Sequence, residues 1–227
     1  RKSQVFIQNP EFVALSAMNN INPQLANQYA CLVKFLSQNP DLAAKSRSSE
    51  TGSENYIIQQ AKYFAQARLP KTPTPPGTVP DEVVSTILVS YFGINPVNIE
   101  NIKIEHQLSM SAENMVGDLL ERYLASIMEP HGWIWCSGSM VKAVDFIRPR
   151  DQQLTSWELL QVKNRDNSEN SSSSAIRNNT PIIKWHRTFS RTGKTNWSNF
   201  PDHNATNNLS EEGFKSFVVN YLTRIKS

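Results

Sequence analysis

Apolar residues recur at helical spacing through the first half of the chain. From Gln24 to Leu36, the residues Leu25, Ala26, Tyr29, Leu32, Val33 and Leu36 form one stripe, which Asn39-Pro40 ends. Glu54 to Leu69 repeats the spacing with Ile57, Ile58, Ala61, Phe64, Ala65 and Leu69. Residues 71–80 (KTPTPPGTVP) form a proline-rich connector, too stiff for a helix and short of amide donors. A helix is predicted from Asp81 to Phe92 with Gly93 just past its end, and another opens at Asn95-Pro96 and runs to about Leu108. Ser111 is read as the cap of the next helix. That helix presents Val116, Leu119, Leu120, Tyr123, Leu124 and Ile127 and stops at Pro130-His131-Gly132.

The period then changes from 3.6 to 2. Trp133 to Cys136, Val141 to Ile147 and Trp157 to Lys163 read as strands, with Arg148 to Ser156 as the turn between the last two. Beyond Lys163 the chain is polar: residues 161–208 hold ten Asn and seven Ser. Ser210 caps a closing helix from Glu211 to Ile225. The order predicts an α/β (α+β) fold with a mixed central sheet flanked by helices. It divides into a helical region over 1–108, suited to dimerisation or to embracing a ligand, and a mixed region over 109–227.

Length and composition narrow the class. A chain of 227 residues makes one large domain or two small ones. Nothing approaches eighteen consecutive apolar residues, which excludes a membrane-spanning helix. Arg1 to Pro10 has no apolar run of signal-peptide length, so the expected location is cytoplasmic. Two cysteines, Cys31 and Cys136, cannot build a disulfide framework or a four-cysteine zinc site. The net charge of +3 is unevenly placed: Lys142 to Lys194 carries +5, leaving −2 for the rest. A localised basic stretch suits a phosphate-bearing partner, although a solvated basic surface has the same composition.

The candidate chemistry sits on the two longer strands. In Val141 to Ile147, Asp145 is the one acid in an apolar run, and in Trp157 to Lys163, Gln161 and Lys163 share a face. Adjacent strands can turn Asp145, Gln161 and Lys163 toward one cleft. A buried carboxylate needs a cation beside it. Lys163 could be that cation, in a structural ion pair, or a metal ion could. Mg²⁺ prefers hard oxygen ligands: the Asp145 carboxylate, the Gln161 amide oxygen and the Val162 carbonyl. Lys163 can orient or help deprotonate an attacking water. On a helical wheel starting at Val116, the apolar face centres near 10°, with Glu113 at about 60°, Glu121 at about 140° and Asp118 at about 200°. Asp118 is thus expected in solvent. Glu121 borders the core and can reach a strand end, while Glu113 falls in a first turn where capping is the simpler role.

An acid in an apolar strand, a turn, and a strand ending in an acid or Gln, one residue, then Lys resembles the PD-(D/E)xK nuclease superfamily. Gly117-Asp118-Leu119-Leu120-Glu121 resembles the helix that in that superfamily often lends a Glu to the metal. Asn164 to Ser171 (NRDNSENS) is similar to the polar segment of type II restriction endonucleases of the SinI/AvaII type. The chain departs from the motif at Val144, where the proline would stand, and at Gln161, which replaces the second acid. A neutral amide holds a cation more weakly and makes the helix Glu more necessary. The resemblance implies a homodimeric, Mg²⁺-dependent type II restriction endonuclease with its nuclease core over 109–227 and its recognition segment over about 164–208. It further implies double-stranded DNA as substrate, 5′-phosphate and 3′-hydroxyl products, a GGWCC target and a cognate DNA methyltransferase as functional partner. Asp145, Gln161, Lys163 and Glu121 would be the catalytic set.

Residue chemistry also marks candidate DNA contacts. Arg165, Arg177, Arg187 and Arg191 suit guanine edges or phosphate, and Asn164, Asn167 and Asn170 suit adenine. Ser168 and Ser171, the latter opening the run Ser171 to Ser174, suit phosphate, as do Lys142, Lys184 and Lys194. Two alternatives remain open from sequence: a structure-specific repair or recombination nuclease on the same core, and a non-catalytic DNA-binding protein, which Gln161 permits.

Overall fold

The computed structural model describes residues 6–167 and 181–227. Its element order is α1 (Pro10–Asn19), α2 (Ala26–Gln38), α3 (Glu54–Gln66), α4 (Glu82–Ser90), α5 (Ile99–Met128), β1 (Ile134–Trp135), β2 (Phe146–Pro149), β3 (Trp157–Arg165), β4 (Ile182–Thr188), α6 (His203–Thr206) and α7 (Glu211–Lys226). The strands form a four-stranded sheet in the order β1-β2-β3-β4. β1, β2 and β3 pair antiparallel, and β4 lies parallel to β3.

Both faces of the sheet are covered, which is why β3 reads as a near-continuous apolar run, Leu159-Leu160-Gln161-Val162, rather than as a clean alternation. Ile147, Leu159 and Ile182 lie side by side across three strands and share a core with Met18, Leu32, Phe35, Leu36, Ile57 and Phe64 of α1–α3. Phe146, Leu160, Val162 and Trp185 share the other core with Leu120, Leu124 and Met128 of α5 and Phe214 and Tyr221 of α7. Each fully buried aromatic contributes about 2–3 kcal/mol.

The predicted break at Ser111 is absent. One 30-residue helix runs from Ile99 to Met128, with Ser111 buried inside it. No proline or glycine separates Leu108 from Ser111, and a serine within a helix costs only a few tenths of a kcal/mol. The 108/109 boundary thus falls within α5. Arg122 of α5 fastens the end of α3, donating to the carbonyls of Ala67, Arg68 and Leu69 at 2.8, 3.1 and 2.9 Å.

The second predicted strand is shorter and shifted. Only Phe146–Pro149 pairs, so Arg148 and Pro149 leave the predicted turn for the ladder. Residues 140–142 instead join the N-terminal helices: Ala44 N–H donates to the Met140 carbonyl, and Lys142 N–H to that of Leu42, at 2.8 Å each. Ala143 then turns through a positive φ of 57° before the ladder begins. β4 falls in the stretch read as polar recognition sequence. Among the described residues, no helix is long and apolar enough to cross a membrane.

Candidate active site

Asp145 enters β2 from the loop after β1, and hydrogen bonds fix both sides of it. Its N–H donates to the Leu160 carbonyl at 2.9 Å, and its own carbonyl accepts from Cys136 N–H at 2.8 Å. Its carboxylate accepts the Val162 amide at 2.7 Å. The acid is therefore locked to β3 one residue before Lys163. Val162, proposed as a carbonyl ligand, is tied to the site through its N–H.

Glu121 reaches the same place from α5. Its Oε2 accepts from the Trp135 indole N–H at 2.8 Å. Trp135 is buried and gripped: Arg68 and Arg122 lie 5.2 and 5.6 Å from its ring centroid, and Arg68 donates to its carbonyl at 2.9 Å. Burial, and then the Asp145 charge, push the Glu121 carboxyl up to about 8, against the pull of the Trp135 hydrogen bond and Lys163. Burial likewise raises Asp145, opposed by the Val162 amide and by Lys163. Two buried acids thus repel one another, with Lys163 as the nearby cation. Glu113 is exposed, so Glu121 is the α5 acid beside Asp145.

Gln161 is buried, and its Oε1 has no hydrogen-bond partner among the described residues. A buried amide oxygen without a donor is costly. Two raised carboxyls and an orphaned amide oxygen are the donors a hard divalent cation takes. Among the described residues, no three His, Cys, Asp or Glu side chains gather into a ready metal cage. A cleft of about 620 Å³ opens here, lined in part by Glu113, Gly117, Glu121, Lys163, Asn164 and Arg187. Asp145 and Gln161 do not line it. Burial and the Asp145 charge hold the Cys136 thiol well above its ordinary value, which leaves it no role as a nucleophile.

A family model for SinI restriction endonucleases matches residues 11–224. The chain is 56% identical to the type II restriction enzyme Eco47I of Escherichia coli over 99% of both chains. It is 54% identical to the type II restriction enzyme SinI of Salmonella infantis over 97% of both. The chain belongs to the SinI restriction endonuclease family. Its activity is that of a type II restriction enzyme, a site-specific deoxyribonuclease acting on double-stranded DNA.

Within this family member, the candidate DNA contacts divide. Arg187 donates to Asn164 Oδ1 at 2.9 Å and pairs with Glu211 at 2.6 Å, so both predicted contacts are already engaged at the cleft wall. Lys142 Nζ donates to the Asp41 carbonyl at 3.2 Å. Arg165, Asn167, Arg191 and Lys194 are exposed, and Lys184 is half-buried. Ser168, Asn170, Ser171 and Arg177 lie outside the described residues. Asp118 is not free in solvent but pairs with Arg122 at 2.6 Å.

From sequence, Trp135 is only a member of a strand and His186 has no assigned role. His186 stands opposite Lys163 in the β3–β4 pairing, and its buried Nε2 has no partner among the described residues. Trp133 to Cys136 was already read as a strand, but nothing local marks which acid an indole will meet.

Proposed function

We propose that this restriction endonuclease cuts both strands of duplex DNA at GGWCC as a Mg²⁺-dependent homodimer, leaving 5′-phosphate ends. The observation that carries the reading is the convergence of Glu121, Asp145 and Lys163: burial raises both acids, the Asp145 charge raises Glu121 further, and Lys163 pulls against both. Asp145, Glu121, Gln161 Oε1 and the Val162 carbonyl would hold the metal. Bound there, the ion would supply Lewis-acid polarisation of the scissile phosphate. Asp145 is held ready by the Val162 amide, and Glu121 by the Trp135 indole. Lys163 orients the attacking water and offsets the charge that builds on the phosphate. Lys142, Asn164, Arg165, Asn167, Ser168, Asn170, Ser171, Arg177, Lys184, Arg187, Arg191 and Lys194 are the proposed DNA contacts.

Cutting both strands calls for two sites, and a two-fold pair of chains provides them. α4 supports a second copy as the partner, because it has no buried residue. Val83, Val84 and Ile87 are 61%, 47% and 51% exposed, and Tyr91 and Phe92 follow at 82% and 64%. The proposed setting is the cytoplasm, with a cognate DNA methyltransferase as functional partner.

The test is digestion of a long DNA with Mg²⁺ beside an Asp145→Ala variant. Discrete fragments ending at GGWCC, absent with the variant, are expected. Cleavage by the variant at the native rate removes Asp145 from the mechanism. Cutting that follows DNA structure instead of sequence points to a repair-type nuclease, and binding without cutting points to a non-catalytic protein.

A further inference from the structure

We propose that the loop Ala44 to Ser49, between α2 and α3, grips the sugar–phosphate backbone of the duplex through Lys45 and Arg47, on the β1 flank of the cleavage site. The inference rests on the reading of Asp145 as the cleavage centre. It adds a DNA-binding surface in the helical N-terminal part, far in sequence from the basic stretch at 142–194.

The fold brings this loop to the working end of the sheet. Ala43 bridges to Val141, and Ala44 N–H donates to the Met140 carbonyl at 2.8 Å. Residues 140 and 141 belong to the β1–β2 connection that delivers Asp145. The same connection touches α3 at Gly138, where an added Cβ would meet Tyr63 backbone atoms at 3.1 Å. The end of β3 that carries Lys163 and the candidate contacts after it lies toward β4. A duplex laid across this end of the sheet would therefore meet basic groups on both flanks.

The loop is pre-formed. Tyr56 OH donates to the Ala44 carbonyl at 2.7 Å. Gln59 Oε1 accepts the hydroxyls of Ser46, Ser48 and Ser49 at 3.1, 3.0 and 3.0 Å, pinning the loop to α3. The hydroxyls are thereby used internally, while Lys45 and Arg47 stay exposed and make no ion pair among the described residues. They open onto a cavity of about 640 Å³ whose charged lining residues are Lys45, Arg47 and Lys71, with no acid. Lys71 is partly engaged, at 3.5 Å from Asp118, and Glu50 is exposed but does not line the cavity. Two cations without acidic partners on a loop whose backbone is already held suit phosphates, because the ordering entropy of the loop itself is met before DNA arrives.

The test is fluorescence anisotropy of a GGWCC duplex against the full chain, without divalent metal, across a range of KCl concentrations. Each phosphate contact contributes about 0.9 to the slope of log K against log salt, so Lys45→Ala/Arg47→Ala is expected to lower the slope by about 1.8. Its weaker binding should converge on wild type at high salt. Lys45→Arg/Arg47→Lys should restore the slope. Lys45→Gln/Arg47→Gln serves as the second neutral variant, and melting curves confirm that each is folded. A folded neutral variant with the wild-type slope overturns the proposal. A wild-type protein that neither binds the duplex nor cuts it when Mg²⁺ is added overturns the underlying cleavage reading as well.

Discussion

β2 has a charged cluster at each end, and the two behave oppositely. Near its end, Arg148 pairs with Glu158 at 2.6 Å and Asp202 at 2.9 Å, and the Trp133 indole donates to Asp202 at 2.7 Å. Burial works against ionising Asp202, but the Trp133 hydrogen bond and Arg148 outweigh it, leaving the carboxyl below its ordinary value. At its start, Asp145 and Glu121 are both raised, although Trp135 supplies Glu121 with the same kind of indole donor. The difference is the balance of charge. Two acids share an arginine that reaches both in the first cluster, whereas in the second Lys163 is the cation that opposes the rise of both acids and, among the described residues, makes no ion pair with either. A satisfied cluster holds the fold together. An unsatisfied one stays poised for a cation that arrives later.

Substitutions sharpen the contrast. Asp145→Asn should reduce cleavage by about 10³-fold or more. It should leave the metal-free melting temperature no lower than wild type, because a repulsive buried charge disappears. A large loss of stability would erase the distinction between the clusters. Asp202→Ala should do the reverse. It strands the Trp133 N–H and leaves Arg148 with Glu158 alone, so it should destabilise by about 2 kcal/mol in denaturant unfolding, while folded protein cuts at the native rate. Trp135→Phe removes the donor to Glu121 and keeps an aromatic ring between Arg68 and Arg122. It should raise the metal concentration for half-maximal cleavage about 10–100-fold, with little change at saturation. A loss that saturating metal does not repair would assign Trp135 to folding alone.

The pH dependence has a definite sign. The Glu121 carboxyl moves from an ordinary 4.5 to about 8 in the folded chain, so over that window the folded state binds more protons than the unfolded one. The stabilising contribution is complete below about 4.5 and is lost as pH rises through about 8. Metal-free stability should decline over that window, and Glu121→Gln should flatten the decline.

The sequence carried the fold where local signals were unopposed. The stripes of α2 and α3, the helix opening at Asp81 and the Ser210 cap of α7 were all readable, and the Asp81 and Ser210 side chains both make capping bonds. It misled where tertiary contacts decided. The bridge of Val141 to Ala43 drew Val141 and Lys142 out of the expected strand. β4 was hidden because Trp185 and Ile182 pair with a strand whose partner sequence lies some twenty residues earlier. Of the site, Asp145, Lys163 and Glu121 were legible as charges breaking an apolar pattern. Trp135 was not, because its meaning depends on meeting an acid on α5. Lys45 and Arg47 were not, because only the folded chain brings them beside the Asp145 loop.

The most direct test of the central claim is a Mg²⁺ titration of thermal stability at pH 8, without DNA, for wild type, Asp145→Asn and Glu121→Gln. Wild type should gain stability with rising Mg²⁺ and neither variant should follow it. If all three chains respond alike, Asp145 and Glu121 do not hold the metal, and the account fails.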